Sequence, residues 1–425
     1  MSDSPHPQPH SAGISRRALL GVIGVGAGAA AVGAAGGAAA YAATHDSPEG
    51  RQQLRYPFYG EHQQGITTPM QDYMHFAALD LTTESREALI ALLVRWTQAA
   101  ATMTTGAPIG TAASGAYDAP PQDTGEALDL PAAGLTITIG FGPSLFRTKD
   151  GVDRFGLADK QPAGFEDLPR FPGDDPNPVF DGGDLCIQAC ANDAQVAVHA
   201  VRNLVRLAFG TAAVRWAQMG FGKSSVTAKG EPTPRNLFGF KDGTANITSD
   251  DQAGLDNFVW VDSGWMSGGT YLAVRKIRMT IETWDRTSLR EQEAVFGRTK
   301  GEGAPLSGGT EFSDPDFALV GRGDLPLIDP NSHVALAHPS ANGGARVLRR
   351  AYNYTDGTDA LGRLDAGLFY LAFERDLQEQ FVPIQMRLSQ SDLMNEYVKY
   401  IGTAAFAIPP GALEPGDYIG QSLLA

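Results

Sequence analysis

Three short segments concentrate side chains that could do chemistry. The first is GFKDGTANI at 239–247, where Asp242 sits on a bend made by Gly239 and Gly243. Asp-Gly is ordinary turn chemistry, but apolar Leu237 and Phe238 precede it, so the acid reads as a turn former or as a working carboxylate. The second is NSHVALAHP at 331–339. His333 and His338 are spaced to fall on opposite faces of a strand, so they do not share one ion. One histidine offered at a loop-to-element junction is what a five-coordinate haem needs; a satisfied structural histidine is the alternative. The third is ARVLRRAYNY at 345–354. On a strand, Arg349 and Arg350 face opposite sides, and an inward arginine is costly unless it is paired or working. A salt-bridged surface pair is the plainer reading.

The remaining chemistry-bearing residues exclude several classes. Of eight histidines, His6 and His10 lie near the N-terminus, His45 beside the small-residue run Ala40-Tyr41-Ala42, His62 in PFYGEHQQGI, and His75 and His199 within regular elements. There is no HExxH and no paired Cys/His cluster, which argues against a protein-ligated zinc. No GxGxxG follows a strand and opens a helix, so dinucleotide-binding and P-loop readings fail. No GxSxG is present, and FGPSLF (141–146) lacks the second glycine of a hydrolase elbow. Cys186 and Cys190 share a strand face too far apart to bond, and read as buried apolar residues.

The elements that must position these segments alternate between strands and helices, in two halves. Residues 74–81, 135–142 and 184–191 read as strands. Thr83 is placed to cap a helix with Leu89, Leu92, Leu93 and Trp96 on one face, and Asn192 a helix with Val201, Leu204, Val205 and Ala208, ended by Gly210. In the second half, 270–284 and 367–374 read as strands, and Thr287 is placed to cap SLREQEAVFG. Leu377, Phe381, Ile384 and Leu388 mark a last helix. Residues 211–269 read as a loop-rich connector, and 298–332 as a Gly/Pro-rich loop. The pattern predicts an α+β fold of two units, each an antiparallel sheet with helices on one side; a duplicated ferredoxin-like arrangement is the natural form.

The chain has 425 residues, 43% hydrophobic, with a formal net charge of −15 and a pI near 4.9. So acidic a surface disfavours nucleic acid and anionic membranes as partners. Ser15-Arg16-Arg17-Ala18-Leu19-Leu20 precedes a mild Ala/Gly/Val run and the small-x-small site Ala40-Tyr41-Ala42. Paired arginines before such a run predict a twin-arginine signal peptide over 1–42, engagement of that export machinery, and an extracellular, envelope or periplasmic destination. The alternative is an uncut anchor. Twin-arginine cargo crosses already folded, which suits a chain without structural disulfides that is loaded with a cofactor inside the cell.

Taken together, these segments resemble the dye-decolourising peroxidases. Gly239-Phe240-Lys241-Asp242-Gly243 matches the family's GxxDG signature; NSHVALAHP resembles its proximal-histidine segment and VLRRAYNY its distal-arginine segment. PFYGEHQQGI, LTITIGFGPSLF, GDLCIQACAND, ETWDRTSLREQEAVFGRTKGEGAPL and LFYLAFERDLQEQFVPIQMRL extend the match over nearly all of 55–410. The leader and PFYGEHQQGI point to the exported branch similar to the iron-transport deferrochelatase/peroxidases.

The resemblance implies two ferredoxin-like units, 55–225 and 226–410, enclosing haem b, with 411–425 as a tail. It makes His333 the axial ligand of the haem iron, Asp242 the distal proton carrier and Arg349 the distal cation, and aligns Gly243, Thr244, Ala245, His338 and Pro339 with haem-contacting stretches. By spacing, Asp392 is the candidate acceptor for the second nitrogen of His333, with Asp376 next. HVALAHPS departs from the family's HIRLANPR at Ala335 and Ser340, where arginines that help hold the haem propionates are expected, and at His338, where the family has asparagine; Arg346 is a candidate substitute. Hydrogen peroxide and dye or phenol reductants are the implied substrates, oxidised in one-electron steps. Trp260, Trp265, Tyr352 and Tyr354 are candidate electron relays to reductants too bulky to enter. The alternative is a haem-binding deferrochelatase that releases iron, with iron-uptake partners. A chlorite-dismutating relative is disfavoured by the presence of both acid and arginine.

Overall fold

Period-two alternation of apolar and small residues sets the architecture from Tyr73 onward. The computed structural model describes residues 50, 53–110, 117–228 and 230–425; the leader assigned to 1–42 lies outside the described residues. In chain order the elements are β1 (Tyr73–Leu81), α1 (Arg86–Met103), β2 (Thr136–Phe141), β3 (Leu185–Ala191), α2 (Ala194–Leu207), β4 (Ala212–Lys223), α3 (Gln252–Phe258) and β5 (Thr270–Met279). There follow α4 (Ile281–Trp284), α5 (Leu289–Phe296), α6 (His333–Ala337), β6 (Leu348–Arg349), β7 (Tyr352–Thr358), β8 (Leu364–Glu374), α7 (Val382–Ser391), β9 (Val398–Ile408) and α8 (Gln421–Leu424).

The strands form one antiparallel sheet in the order β5-β9-β2-β3-β1-β4-β7-β8-β6, and β5 also pairs with β8, which closes eight of them into a barrel. The first four strands are contiguous in it, as are β9, β5, β8 and β7. The two sets meet at short seams, Phe141 opposite Ala407 on one side and Phe221 and Lys223 opposite Asn353 and Tyr352 on the other. Closure leaves few free edges to manage.

Side chains fill the barrel. Met74, Phe76, Cys186, Cys190, Trp216, Leu272, Tyr352, Tyr354, Phe369 and Phe406 all point into one buried cluster. Both cysteines are buried free thiols there, as their spacing predicts. The described side chains pack this interior, and Asp242, His333 and Asp392 all lie on segments outside the strands. The outer face is covered by α1, α2 and the segment at Leu377–Phe381, through Leu89, Leu92, Trp96, Val201, Leu204 and Phe381.

Several local expectations shift. The caps are Ser85, Asp193 and Ser288 rather than Thr83, Asn192 and Thr287, because a capping oxygen must sit beside the free N–H groups of its own first turn. The strand expected over 270–284 ends at Met279, and α4 follows it. The expected connector 211–269 contains the twelve-residue strand β4. Its AAVRWAQMGFGK turns Trp216, Gln218 and Gly220 inward and leaves Val214, Met219 and Phe221 exposed, so apolar residues fall on both faces and mask the alternation.

Candidate active site

Asp242 is positioned by an aromatic anchor. Arg235 and Lys241 form an isolated antiparallel bridge, and between them Phe238 stacks on Trp284 at 4.3 Å and Phe240 on Phe296 at 3.9 Å. Asp242 follows, its N–H donating to the Pro234 carbonyl at 2.9 Å. Gly243 has φ +102°, and a Cβ there would lie 2.9 Å from the Ser225 Cα. The glycine therefore serves the chain's own close approach to Ser225. Glu311, from the 298–332 loop, accepts from Lys241 and, at 3.2 Å, from Thr244. It grips the turn on both sides of the acid. Three donors and cations around Glu311 hold its carboxyl below the usual range despite burial.

His333 opens α6. The spacing argument placed His333 and His338 on a strand; in the structure the first is the N-terminal residue of a five-residue helix and the second its C-cap. The His333 Nδ1 lies 2.6 Å from Asp392 Oδ2. Asp392 is itself buried, and its other oxygen accepts from the Met394 N–H at 2.9 Å. Burial pushes the imidazole pKa down, but the Asp392 carboxylate outweighs it, and the net shift is upward. Asp242 adds to that rise and Arg349 opposes it, so the dyad and the distal charges act on one another. Asp376, the second-choice acceptor, instead caps the π-helical turn at Leu377–Phe381 through the Gln378 and Glu379 N–H groups.

Arg349 donates to Asp242 Oδ1 at 2.6 Å. Asn236 donates to Oδ2 at 3.2 Å, so both carboxylate oxygens are engaged. The backbone of Arg349 is pinned by Asn246, which accepts from its N–H at 2.7 Å and donates to its carbonyl at 2.8 Å. Arg350 faces the opposite way, as alternation requires, and is fully buried with bonds to Thr68, Thr227 and Gln71.

The fold thus brings together Asp242, Arg349, His333 and Asp392. Thr244 is turned to Glu311 and Ala245 is exposed. His338 bonds Ser340 at 2.8 Å and packs edge-on against Phe317, and Pro339 opens the short turn after it. Both shape the chain after α6. Arg346 pairs with Asp251 at 3.0 Å. Arg298, not singled out by sequence reasoning, is a half-buried cation that donates to the carbonyls of Gly303 and Glu311, with burial lowering its pKa. Asn236, Asn246 and Glu311 were also missed; the asparagine inside GFKDGTANI was the available signal for Asn246.

The donor set suits a porphyrin-borne iron. Among the described residues no group of three or more His, Cys, Asp or Glu could hold a metal by itself. His333 offers one imidazole whose Nδ1 is committed to Asp392, leaving Nε2 for a ligand, and a third of its side-chain surface is exposed.

Comparison with known proteins agrees with this donor chemistry. Residues 63–222 match the N-terminal family model of Dyp-type peroxidases, and residues 233–413 match the C-terminal one. The chain is a haem-dependent peroxidase. It belongs to the Dyp-type peroxidase family, and the second match spans all four of the residues just assembled. Deferrochelatase of Yersinia pestis is 37% identical over 432 residues, covering 98% of this chain and 96% of that one. Deferrochelatase of Escherichia coli K12 is 37% identical over 430 residues, covering 96% and 97%. Among solved structures, DtpA of Streptomyces lividans, in an oxyferrous complex, superposes with a TM-score of 0.80 at 38% identity, covering 88% of this chain and 98% of that one. A DyP-type peroxidase of Cellulomonas bogoriensis gives 0.78 at 38%, covering 88% and 99%.

Proposed function

We propose that this chain uses hydrogen peroxide to oxidise dyes, phenols and similar reductants in one-electron steps, with haem b held by His333. The observation that supports it best is the pairing of His333 with Asp392 at 2.6 Å and of Arg349 with Asp242 at 2.6 Å, the two pairs being electrostatically coupled. Haem, when bound, supplies the iron that takes up the oxidising equivalents of the peroxide. His333 would ligate it through Nε2, while Asp392 accepts the Nδ1 proton, fixes the ring and makes the ligand more electron-rich. Asp242 would move a proton from one peroxide oxygen to the other, which leaves as water. Arg349, a permanent cation, would steady the negative charge that develops. Asn236 and Asn246 hold acid and arginine in register. Gly243, Thr244, Ala245, His338 and Pro339 would contact the haem.

Strand order supports a finer reading of the fold as two ferredoxin-like units, 55–225 and 226–410. In each set of four strands the order is fourth, first, third, second. Residues 1–42 would be a twin-arginine leader and the mature protein exported.

An absorption spectrum of the haem-loaded protein before and after hydrogen peroxide tests the reading. A Soret band that responds to one equivalent of peroxide is expected; a band indifferent to excess peroxide overturns it. A second reading, release of iron from haem, is favoured by the relatives named deferrochelatase. It predicts free protoporphyrin on incubation with haem alone.

A further inference from the structure

The sheet face that carries Arg349 also carries a phenol. Arg349 stands directly opposite Ala372 on β8. Tyr370 and Glu374 lie two residues to either side of Ala372 and share its face. Each is diagonal to Arg349, a separation of about 7–8 Å that a tyrosine side chain spans. Ala372 is too small to stand between phenol and guanidinium. Leu371 and Phe373, on the opposite face of β8, point into the barrel, as do Tyr352 and Tyr354 of β7. Glu374 is wholly buried and out of reach of a substrate, whereas Tyr370, Arg349 and Asp242 each keep part of their surface open. The Tyr370 ring is braced by Phe381 at 6.1 Å, and its hydroxyl makes no hydrogen bond among the described residues. Burial holds this phenol above its usual range; Arg349 opposes the rise, and Glu374, Asp242 and Tyr400 add to it. Arg349 in turn loses proton affinity to burial and regains more from Asp242 and Tyr370. The phenol therefore stays neutral and protonated beside the two charged residues of the site.

We propose that Tyr370 is a third hydrogen-bonding residue of the peroxide site, donating its O–H to the oxygen that leaves as water. The inference rests on the peroxidase reading above. Arg349 and Asp242 are already bonded to each other, and Asn236 engages the second carboxylate oxygen. That pair brings charge and a proton carrier, but no neutral donor. The phenol supplies one from the β8 side. When the O–O bond breaks, both of its electrons go to the outer oxygen. That oxygen takes the proton Asp242 has carried from the inner one and departs as water; the two oxidising equivalents pass to the haem. The Tyr370 O–H spreads the negative charge that builds on the departing oxygen, as a donor fixed in advance does. It keeps its own proton and electrons throughout, because a phenol held above its usual range donates a hydrogen bond without giving the proton away.

Fluoride binding to the ferric haem-loaded protein tests the assignment apart from turnover, because bound fluoride accepts hydrogen bonds where the peroxide would sit. Tyr370→Phe keeps the ring and its packing on Phe381 and removes only the O–H. The fluoride dissociation constant should rise roughly two- to tenfold, the worth of one hydrogen bond. The iron–fluoride stretching frequency in resonance Raman spectra should move up as the donor is lost, and the stopped-flow rate of the Soret change with peroxide should fall by a similar factor. The melting temperature should hold, since the hydroxyl has no protein partner to lose; a drop would place the hydroxyl in the protein's own bonding and overturn the assignment. Fluoride affinity and stretching frequency equal to the parent's overturn it as well. A Soret band indifferent to peroxide in the unsubstituted protein overturns the peroxidase reading and the peroxide role of Tyr370 with it, while the fluoride measurements still report whether the phenol points at the ligand position.

Discussion

At the scale of the residue, Asp242 has little freedom. One oxygen is bonded to Arg349 and the other to Asn236. The carboxylate is therefore aimed before any substrate arrives, the condition under which a proton relay is efficient. Asp242→Asn should keep haem bound and slow the peroxide-dependent Soret change by roughly 10²-fold or more, the usual worth of a positioned acid–base group. Arg349→Leu should slow it too, by stopped-flow measurement, and a variant as fast as the parent would remove that residue from the mechanism. The histidines separate as cleanly. His333→Ala should lose the haem ligation signature, whereas His338→Ala, removing a bond to Ser340 and a contact with Phe317 but no iron ligand, should retain it. The reverse result would move the ligand to His338.

At the scale of the element, the site depends on loops held from outside. The turn carrying Asp242 is clamped by Glu311 and seated on Ser225, and the short strand β6 is pinned by Asn246. Asn246→Ala leaves the Arg349 N–H and carbonyl without that partner, at a cost of about 1–3 kcal/mol for each unsatisfied group. Reduced denaturation midpoint and slower peroxide reaction should appear together. Gly243→Ala places a Cβ against backbone at a positive φ, and strain of roughly 1–3 kcal/mol is expected. An unaltered melting temperature would show that the turn gives way freely.

At the scale of the whole molecule, two ionisable groups in or beside the barrel wall oppose each other. His75 is half-buried with its Nδ1 inaccessible and unpartnered, and desolvation lowers its pKa from 6.5 to about 4. The unfolded chain then binds that proton first, so stability falls as pH drops from 6.5 toward 4, by up to about 3 kcal/mol. Glu374 is wholly buried with both oxygens unpartnered, and desolvation raises its pKa well above 4.5. Here the unfolded chain loses the proton first, so stability falls as pH climbs above 4.5. Glu374→Gln should raise the melting temperature at pH 8 more than at pH 4, and an equal effect at both would show that Glu374 is ionised in the fold.

The sequence by itself determined strands β1, β2, β3, β5 and β8, the helices α1, α2, α5 and α7, and the opposed faces of Arg349 and Arg350, because these follow from periods of two and 3.6 within a few residues. It singled out Asp242, His333, Arg349 and Asp392 through resemblance and spacing. It could not decide that β4 is a strand, since its apolar residues fall on both faces, nor that His333 starts a helix rather than a strand, since five residues are too few for either period. Only the tertiary structure decided what completes the site. Asn236, Asn246, Glu311 and Tyr370 act through partners far away in sequence, and such contacts come into being only when the barrel closes. The same holds for the glycines beside Asp242: the chain announces a bend, but which backbone the bend must clear is a property of the folded molecule.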